Sequence, residues 1–417
     1  MPSIFSTSCA TSVASEQRAI GFLTDLLTIP GPSGREGPVI EYLTGALHAA
    51  GVANSSITRD EAHKSSSFGG EIGNLIVNFA GDQRLPRRLF MAHCDTVPLC
   101  VGTIPVRDGR FIQSVNPESG LGADNRTGVA VLLNLAFELA NLNGRHPPVT
   151  LFWTVQEEVG MLGVRHVRVE HLRRPKVAFN IDGGKANKLT IGATGCYRMT
   201  MEFHGRAAHA ALHPEEGINA ITAAAVGIQA LHAAGLIGKV GTGDQSVTTN
   251  VGTINGGTAV NVVPNRVLVQ AEVRGHDPHA RRLVLDTLCK TVRDAVATVC
   301  DRNGNPASVC IAPRLDYEAF RLDPSESCIL AAERAIRSTG KNAIQAVTSG
   351  GIDSNWMYAH GIPVVSFGAG QVNGHTLSEK VDLDEFEAAR RVALHLATDE
   401  EPIERSMVAG RSMESKV

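Results

Sequence analysis

The chain has 417 residues and a formal net charge of −3 at pH 7, so one oversized domain or two domains are expected. Lysine and arginine are dispersed along the sequence rather than clustered, which excludes nucleic acid and anionic membrane as expected partners. No segment reaches the roughly 18 uninterrupted apolar residues that cross a bilayer, and the first residues lack a signal-peptide pattern. These features predict a cytoplasmic protein. The eight cysteines show no C-x-x-C spacing and are interpreted as reduced core thiols.

Helices and strands alternate in the first part of the sequence. Apolar residues at three- and four-residue spacing predict helices in "EQRAIGFLTDLLTI" and "REGPVIEYLTGALHAAG". Short apolar runs predict strands in "GNLIVNF", "RRLFMAHCD", "PVTLFWTVQEE" and "KVAFNID", with helices in "RTGVAVLLNLAFELANL" and "LGVRHVRVEHL". This alternation is typical of an α/β fold with a mixed, mostly parallel sheet between helices. The ends before about Ser15 and after about Glu404 are predicted to be disordered.

A second pattern then interrupts the first. From "CYRMTMEFHG" to "ASVCIAP" the order is strand, helix, strand, strand, helix, strand, which is the ferredoxin-like α+β motif. This inserted domain is predicted for residues 191–314. The α/β pattern resumes with "SCILAAERAIRS", the glycine-rich "TSGGIDSNW", the strand "IPVVSFGAG" and a helix from about Leu383 to Ala397. The larger domain is therefore predicted to be discontinuous, over residues 15–190 and 315–403.

Acidic residues and histidines follow the predicted strands of the larger domain. They are His93 and Asp95, Asp124, Glu157 and Glu158, Asp182, and His375. Each has an ordinary explanation alone: a hydrogen-bonded strand-end histidine, a helix N-cap at Asp124, solvated glutamates, a turn at Asp182, or a loop histidine. The carboxyl ends of parallel strands meet at one edge of a sheet and form the ligand crevice. The joint occurrence on five segments therefore favours one common site.

The residue types of this site indicate a metal. Two imidazoles and several carboxylates suit Zn²⁺, with Mn²⁺ or Co²⁺ as substitutes. Cys94 is expected to point to the opposite side of its strand and not to be a ligand. Three protein ligands per metal leave a position for water, so one bridging aspartate with a histidine and a carboxylate on each side would hold two zinc ions. Within the adjacent glutamate pair, one carboxylate would ligate and the other would transfer the proton.

Six motifs in chain order resemble the co-catalytic zinc peptidase family that includes aminoacylase, carboxypeptidase G and peptidase T. They are "MAHCDTVP", "GLGADNRTGVA", "TVQEEVGMLG", "NIDGG", "AAHAALHPEEGINAI" and "GHTLSEKV". The resemblance extends from about residue 20 to residue 400. "GADNRTG" and "EEVGMLG" are similar to the peptidase T branch in particular.

The resemblance implies a role for each matched residue. It assigns His93, Asp124 and Asp182 to one zinc ion and Asp124, Glu158 and His375 to the other. Glu157 would be the general base and acid. Asp95 would hydrogen-bond to His93 and fix its tautomer. The resemblance also implies a cis peptide bond between Asp124 and Asn125.

The same resemblance implies roles for three residues of the inserted domain. Taken alone, His209 would cap a loop, Asn261 would form a turn before Pro264, and Arg274 would make a surface ion pair. Similarity to the family's lid implies instead that His209 stabilises the oxyanion, while Asn261 and Arg274 bind the substrate's terminal carboxylate. The lid is also expected to serve as a dimerisation domain, with His209 acting across the interface of a homodimer.

The resemblance implies a two-zinc exopeptidase that hydrolyses short peptides like a tripeptide aminopeptidase. An N-acyl amino acid amidohydrolase or a carboxypeptidase of the same family is the alternative. A non-catalytic peptide- or metal-binding protein is a third hypothesis, against which the intact Glu157 argues. Lys185, Asn125 and Arg126 depart from the residues common in the peptidase T branch and leave the substrate preference open.

Overall fold

The computed structural model describes the chain from residue 4 to residue 399, with side chains from residue 14 onwards except at residue 244. The chain divides into two compact units. The first comprises the described chain up to Ile191, Leu322–Val347 and the part from Ile352 onwards; the second comprises Gly192–Arg321 and Thr348–Gly351. The insertion thus runs from 192 to 321, where the sequence predicted 191–314. None of the described helices combines the length and hydropathy that spanning a membrane requires.

The first unit opens with alternating helices and strands, as predicted. Its elements before the insertion are α1 (Ile4–Thr28), α2 (Gly37–Ala49), β1 (Ile57–Arg59), α3 (Ala62–Ser65), β2 (Leu75–Phe79), β3 (Arg88–His93), β4 (Pro105–Asp108), β5 (Phe111–Ser114), α4 (Ala123–Asn141), β6 (Val149–Thr154), α5 (Leu162–Arg165), β7 (Val177–Ile181) and β8 (Lys188–Ala193).

Two expectations for this part need correction. The chain is helical from Ile4, so the disorder predicted before Ser15 is wrong for the described residues; the predicted disorder after Glu404 lies outside them. The single helix predicted in "LGVRHVRVEHL" is in fact two short pieces, α5 and a 3-10 turn at Val169–Leu172. The β-branched valines in this stretch weaken a continuous helix.

The second unit is a two-layer α+β domain. Its elements are β9 (Gly195–His204), α6 (Ala220–Ala233), β10 (Gly238–Val240), β11 (Val247–Gly256), β12 (Arg266–Gly275), α7 (Pro278–Val296), β13 (Ser308–Tyr317) and β14 (Phe320–Arg321). The antiparallel sheet has the order β10-β11-β12-β9-β13. Without the short β10 this is the order of the ferredoxin-like motif. Alternate residues of β9, such as Met201 and Phe203, are buried in one core with residues of α6 and α7.

The first unit is completed after the insertion. The remaining elements are α8 (Ser327–Ser338), β15 (Ile344–Thr348), α9 (Ser354–Ala359), β16 (Val364–Phe367), β17 (Gln371–Val372), β18 (Lys380–Asp382) and α10 (Leu383–Thr398). The central sheet has the order β1-β2-β6-β3-β7-β16-β8, and its middle strands β6, β3, β7 and β16 are parallel. Every residue of these four strands is buried, because helices cover a parallel sheet on its faces. A small antiparallel sheet, β17-β18-β5-β4, accompanies it.

Gly128 allows α4 to lie close to the central sheet. A Cβ at this position would overlap the carbonyl oxygen of Ile181 and would lie 2.6 Å from Asn125 Oδ1 and 3.0 Å from Ala92 Cβ. We expect Gly128→Ala to destabilise the first unit by roughly 1–3 kcal/mol, because the gain in helix propensity does not offset the forced separation of helix and strand. Thermal unfolding followed by circular dichroism measures the effect.

The matched control is Gly21→Ala in α1, where nothing lies within 4 Å of an added Cβ. This variant should unfold at the wild-type temperature or slightly above it, since only helix propensity changes. Equal melting temperatures for the Gly128 and Gly21 variants would contradict the close approach.

Candidate metal centre

The acidic residues and histidines of the first unit meet at one edge of the central sheet. His93 ends β3, Glu157 and Glu158 follow β6, and Asp182 follows β7. These three strands are parallel neighbours, so their carboxyl ends lie at the same edge. Asp124 in the first turn of α4 and His375 in the loop after β17 complete the group.

Asp124 lies between the two histidines. Its Oδ1 is 3.1 Å from His93 Nε2, and its Oδ2 is 3.4 Å from His375 Nε2. His375 Nε2 is also 2.9 Å from Glu158 Oε1. Suitable donor atoms of His93, Asp124 and Glu158 all lie within 4.8 Å of one another. Each oxygen of Asp124 thus faces a different histidine, which is the arrangement required of a bridging carboxylate.

Asp182 stands beside this group with a different partner. Its Oδ1 accepts a hydrogen bond of 3.3 Å from Gln371 Nε2, and Gln371 also donates to Asn125 Oδ1 over 2.8 Å. The structure therefore joins His93 and His375 through Asp124, joins His375 to Glu158, and holds Asp182 through Gln371.

The orienting role predicted for Asp95 is divided between its backbone and its carboxylate. The shorter contact of His93 Nδ1 is with the backbone carbonyl of Asp95, at 3.1 Å, and the carboxylate Oδ1 is 3.5 Å away. The carboxylate mainly accepts hydrogen bonds from the backbone N–H groups of Glu157 and Glu158, over 3.0 and 3.1 Å, and from the Ser33 hydroxyl over 2.7 Å. Asp95 therefore fixes the backbone of the glutamate pair as well as the His93 ring.

The peptide bond between Asp124 and Asn125 is cis, as the family resemblance implied. The helix-capping alternative for Asp124 is not realised, because Asn125 Oδ1 accepts the N–H of Gly128 instead, over 3.0 Å. Asn125 also donates to the Ile181 carbonyl over 2.8 Å, and the buried Arg126 donates to the backbone carbonyls of Cys94 and Ile29. Of the three departures from the peptidase T pattern, Asn125 and Arg126 thus support the backbone around the site.

Negative charge is concentrated at this edge of the sheet. Burial, aided by the charge of Asp124, raises the pKa of Asp182 to about 6. Burial and the charges of Asp353 and Glu158 raise the pKa of Glu157 well above its usual range, although His93 opposes them. Hydrogen bonds to Asp124 and Glu158 raise the pKa of His375 to about 10. The site therefore retains protons that a cation could replace.

A divalent cation fits this donor set. Two imidazoles and several carboxylates suit Zn²⁺ and related ions, and a cation would neutralise the charge that otherwise retains protons. Among the described residues, the group of donor atoms that lie within 4.8 Å of one another contains His93, Asp124 and Glu158 but not Cys94. A second cluster, His213, Glu215 and Glu216, is exposed, and both of its glutamates form ion pairs with Arg302.

Three buried carboxyl groups that were not predicted from the sequence support the site. Glu36 Oε1 accepts the backbone N–H groups of Gly34 and Gln156, over 2.8 and 3.0 Å, next to the glutamate pair. Burial and the charge of Asp95 raise the pKa of Glu36 to about 8. Asp353 accepts a hydrogen bond from the Thr154 hydroxyl, and its burial raises its pKa to about 7. The sequence placed Glu36 at the start of the helix predicted in "REGPVIEYLTGALHAAG" and Asp353 in the glycine-rich "TSGGIDSNW", and it gave neither carboxyl group a role.

Glu379 is the third of these carboxyl groups. Its Oε2 accepts the backbone N–H groups of Leu121 and Gly122, over 2.9 and 2.6 Å, and its Oε1 accepts that of Asp124 over 3.0 Å. Glu379 follows His375 by four positions in "GHTLSEKV", a motif in which only the histidine was predicted to have a role. One side chain thus ties the loop before Asp124 to the segment that carries His375.

We expect Glu379→Gln to lower metal affinity by about 10- to 100-fold, as is usual when an outer partner of a ligand is removed. A glutamine has one accepting oxygen and one donating amide, so it cannot accept N–H groups on both sides. Competition between the metal-depleted protein and a chromogenic chelator measures the affinity.

The matched control is Glu41→Gln, at an exposed position of α2, which should bind metal like the wild type. Unchanged affinity in the Glu379 variant would show that the loop before Asp124 keeps its shape without these hydrogen bonds.

The three residues predicted from the lid resemblance lie in the second unit. His209 pairs with Val262 in an isolated β-bridge, and its Nδ1 accepts the N–H groups of Ala211 and Leu212, both over 3.2 Å. The carbonyl of Asn261 accepts the N–H of Ala210 over 3.0 Å, so His209 and Asn261 lie on adjoining backbone segments. Arg274 on β12 forms a two-pronged ion pair with Glu272, over 2.9 and 3.0 Å.

Comparison with known proteins places this geometry in a family. The profile of peptidase family M20/M25/M40 matches residues 89–399. The protein YqjE of Bacillus subtilis strain 168, described as uncharacterized, is 26% identical over 375 residues, which are 90% of this chain and 96% of YqjE. Carboxypeptidase G2 of Pseudomonas sp. strain RS-16 is 24% identical over 350 residues, which are 81% of this chain and 79% of that enzyme.

A similar crystal structure is that of a tripeptidase from Staphylococcus aureus subsp. aureus Mu50. It is 25% identical in sequence, superposes with a TM-score of 0.78, and the similarity covers 92% of this chain and 97% of the tripeptidase.

Proposed function

Since the chain belongs to peptidase family M20/M25/M40 and is a metal-dependent peptide hydrolase, we propose that it is a two-zinc exopeptidase that removes one residue from short peptides, like a tripeptide aminopeptidase. The observation that carries this proposal is the position of Asp124, whose two oxygens face two different histidines over 3.1 and 3.4 Å. The similarity to the S. aureus tripeptidase supports the choice of substrate.

The proposal assigns a ligand set to each metal ion. His93, Asp124 and Asp182 would hold one, and Asp124, Glu158 and His375 the other. When bound, the metal pair polarises the amide carbonyl and increases the acidity of water. Asp124 has to be fully ionised for a bridging role, and the hydrogen bonds from both histidines keep its pKa below the usual range in spite of burial.

Glu157 is the residue proposed to move protons. It takes a proton from the attacking water as the C–O bond forms, and its carboxyl gives that proton to the leaving amine as the C–N bond breaks. Burial and the charges of Asp353 and Glu158 raise the pKa of Glu157, so this carboxyl retains a proton once it has taken one from water. Its backbone N–H is held by Asp95, so the side chain begins from a fixed position.

Hydrolysis of Ala-Ala-Ala, with metal content measured by elemental analysis, tests the proposal. About two zinc ions per chain and chelator-sensitive release of alanine and Ala-Ala are expected. An isotope label on the first alanine shows which end is removed, and its release as free alanine identifies an aminopeptidase. A metal-replete protein that leaves a panel of di- and tripeptides intact would refute the proposal.

The similarity to carboxypeptidase G2 of Pseudomonas favours one alternative, a carboxypeptidase or an N-acyl amino acid amidohydrolase. Release of the unlabelled C-terminal alanine from the labelled tripeptide, or cleavage of acetyl-methionine, would select it. A non-catalytic binding protein would retain peptides without turnover.

Within this proposal, Arg274 and Asn261 bind the terminal carboxylate of the substrate and His209 stabilises the oxyanion. Arg274→Ala should raise KM by about 10- to 100-fold with a smaller change in kcat, because a charge-assisted hydrogen-bond pair to the substrate is lost. Steady-state kinetics on Ala-Ala-Ala and on its C-terminal amide measure the effect.

The Arg274 variant should have similar KM values for Ala-Ala-Ala and for its C-terminal amide. Arg266→Ala is a matched control, since Arg266 also lies on β12 and pairs with a glutamate, Glu202. A wild-type KM for Ala-Ala-Ala in the Arg274 variant would show that the Arg274 guanidinium of the wild type pairs with Glu272 and does not bind the substrate. The homodimer expected through the second unit is tested separately by light scattering.

A further inference from the structure

The first unit has a cationic depression that the peptidase chemistry does not use. It measures about 710 Å³ and is lined by Gln83, Arg84, Leu85, Pro86, Arg87, Pro148, Arg173, Arg174, Lys176 and Ser327. We call it the arginine depression. Arg87 immediately precedes β3, Lys176 immediately precedes β7, and Pro148 immediately precedes β6. The depression therefore lies at the amino ends of the strands whose carboxyl ends carry the metal centre.

Positive charge dominates this depression. Five of its ten lining residues are cationic and none is acidic. A second depression of the same unit, around Arg107 and Arg391, has four cationic residues together with Glu16, Asp384 and Glu387. The expectation from the sequence that basic residues are dispersed is thus wrong here, because the fold joins "RLPRR" and "RRPK". Arg84 has an acidic neighbour in Asp82.

The two basic segments are held in place by the backbone. The N–H of Lys176 donates to the carbonyl of Arg87 over 2.8 Å. The Arg87 Nη1 donates to the carbonyls of Phe79 and Val149, over 3.3 and 3.1 Å, which fixes the guanidinium at the edge of the sheet. Burial, followed by the charge of Arg173, lowers the pKa of Arg87, so the two guanidinium groups repel each other.

The turn that carries Arg173 and Arg174 is itself unusual. Both residues have left-handed backbone conformations, with φ of 60° and 54°, a region that side chains other than glycine, asparagine and aspartate rarely adopt. Among the side chains that the structure describes, from residue 14 to residue 399 without residue 244, no ion pair engages Arg173, Arg174 or Lys176. Holding these positive charges together therefore costs free energy, through the left-handed backbone and through charge repulsion. A bound anion would offset the repulsion.

The first turn of α8 also borders the depression, with Glu326 as its N-cap residue. Ser327 begins this 12-residue helix and lines the depression, and a helix N-terminus carries a partial positive charge. The volume lies within the range of small-molecule sites, roughly 300–1,000 Å³. A guanidinium group can donate two parallel hydrogen bonds to two oxygens of one phosphate. This geometry fits a phosphate more closely than it fits a monovalent ion.

We propose that the arginine depression binds a small phosphate-bearing anion of about the size of a pyrophosphate group. This is a binding site separate from the metal centre and does not depend on the proposed peptidase specificity. Arg173 and Arg174 would contribute the two guanidinium forks that face solvent, and Arg87 the fixed charge at the base.

Calorimetric titration of the zinc-loaded protein with inorganic pyrophosphate tests the proposal. Saturable binding is expected, and the double variant Arg173→Ala/Arg174→Ala should weaken it by about tenfold for each arginine removed. The matched control is Arg107→Ala/Arg391→Ala. It removes two positive charges from the second depression, where acidic residues accompany the cationic ones, and it should keep the wild-type affinity for pyrophosphate. Lys176→Ala provides an independent single change with a weaker loss.

Four outcomes would overturn the proposal. Pyrophosphate that does not bind at millimolar concentration excludes the site. Wild-type affinity in the Arg173/Arg174 variant would assign the binding to the metal centre, and an equal loss in the control would show an effect of net charge. Affinity that rises steadily with the length of a polyphosphate chain would indicate an extended polyanion rather than a small ligand. Circular dichroism of the same variants establishes that they are folded.

Discussion

Replacing Glu157 by alanine is expected to lower kcat by about 10² to 10⁴-fold while the metal content stays at the wild-type value. The reason is that Glu158, and not Glu157, lies with the other proposed ligands: its Oε1 is 2.9 Å from His375 Nε2, and it has a donor atom within 4.8 Å of those of His93 and Asp124. Glu157 is therefore the member of the pair that is left to accept a proton. Single-turnover kinetics on Ala-Ala-Ala together with elemental analysis measure both quantities.

Two further variants complete this experiment. Glu158→Ala should lose metal as well as activity, and Glu170→Ala, an exposed glutamate nearby in sequence, should retain both. Loss of metal in the Glu157 variant, with retention in the Glu158 variant, would mean that the two roles are exchanged.

Asp124→Ala is expected to lose both metal ions together and to have no measurable activity. A bridging carboxylate contributes to both sites, and here each oxygen of Asp124 faces a separate histidine. Removing it also leaves His93 and His375 without the carboxylate that accounts for much of their raised pKa, so both imidazoles would lose basicity. Metal per chain after desalting is the readout, with circular dichroism as the test of folding.

The comparison variants separate a bridge from an ordinary ligand. Asp182→Ala should lose one equivalent, whereas the exposed Asp108→Ala should keep both. Retention of one full equivalent by the Asp124 variant would contradict bridging, and Asp124 would then belong to a single site.

The strands that carry the site were predictable because their sequences are unambiguous. The middle strands of the central sheet are buried on both faces, so "LFMAH" and "VAFNI" read as continuous apolar runs. Polar residues directly after such runs have to lie at the sheet edge, which explains why His93 and Asp182 could be placed from sequence. The small sheet formed by β4, β5, β17 and β18 was missed, because its strands are short and partly exposed and lack a clear period.

The supporting carboxyl groups could not be predicted for a different reason. Glu36 and Glu379 act on backbone N–H groups that are distant in sequence, such as that of Gln156, 120 positions after Glu36. No local pattern encodes such a contact, and an acidic residue in a loop is usually solvated. The arginine depression was missed in the same way, because two ordinary basic runs become one cluster only when β3 and β7 pair.

The insertion of the second unit has a consequence for synthesis on the ribosome. His375 emerges 193 positions after Asp182, which at about 5–20 residues per second is a delay of roughly 10–40 s. Until residues 364–367 are synthesised, the edge of β7 that pairs with β16 in the folded protein cannot make that pairing. An unpaired, apolar edge strand is a site of aggregation. The contiguous second unit is synthesised during this same delay, so we expect a nascent chain to carry this unpaired edge of β7 until residues 364–367 arrive.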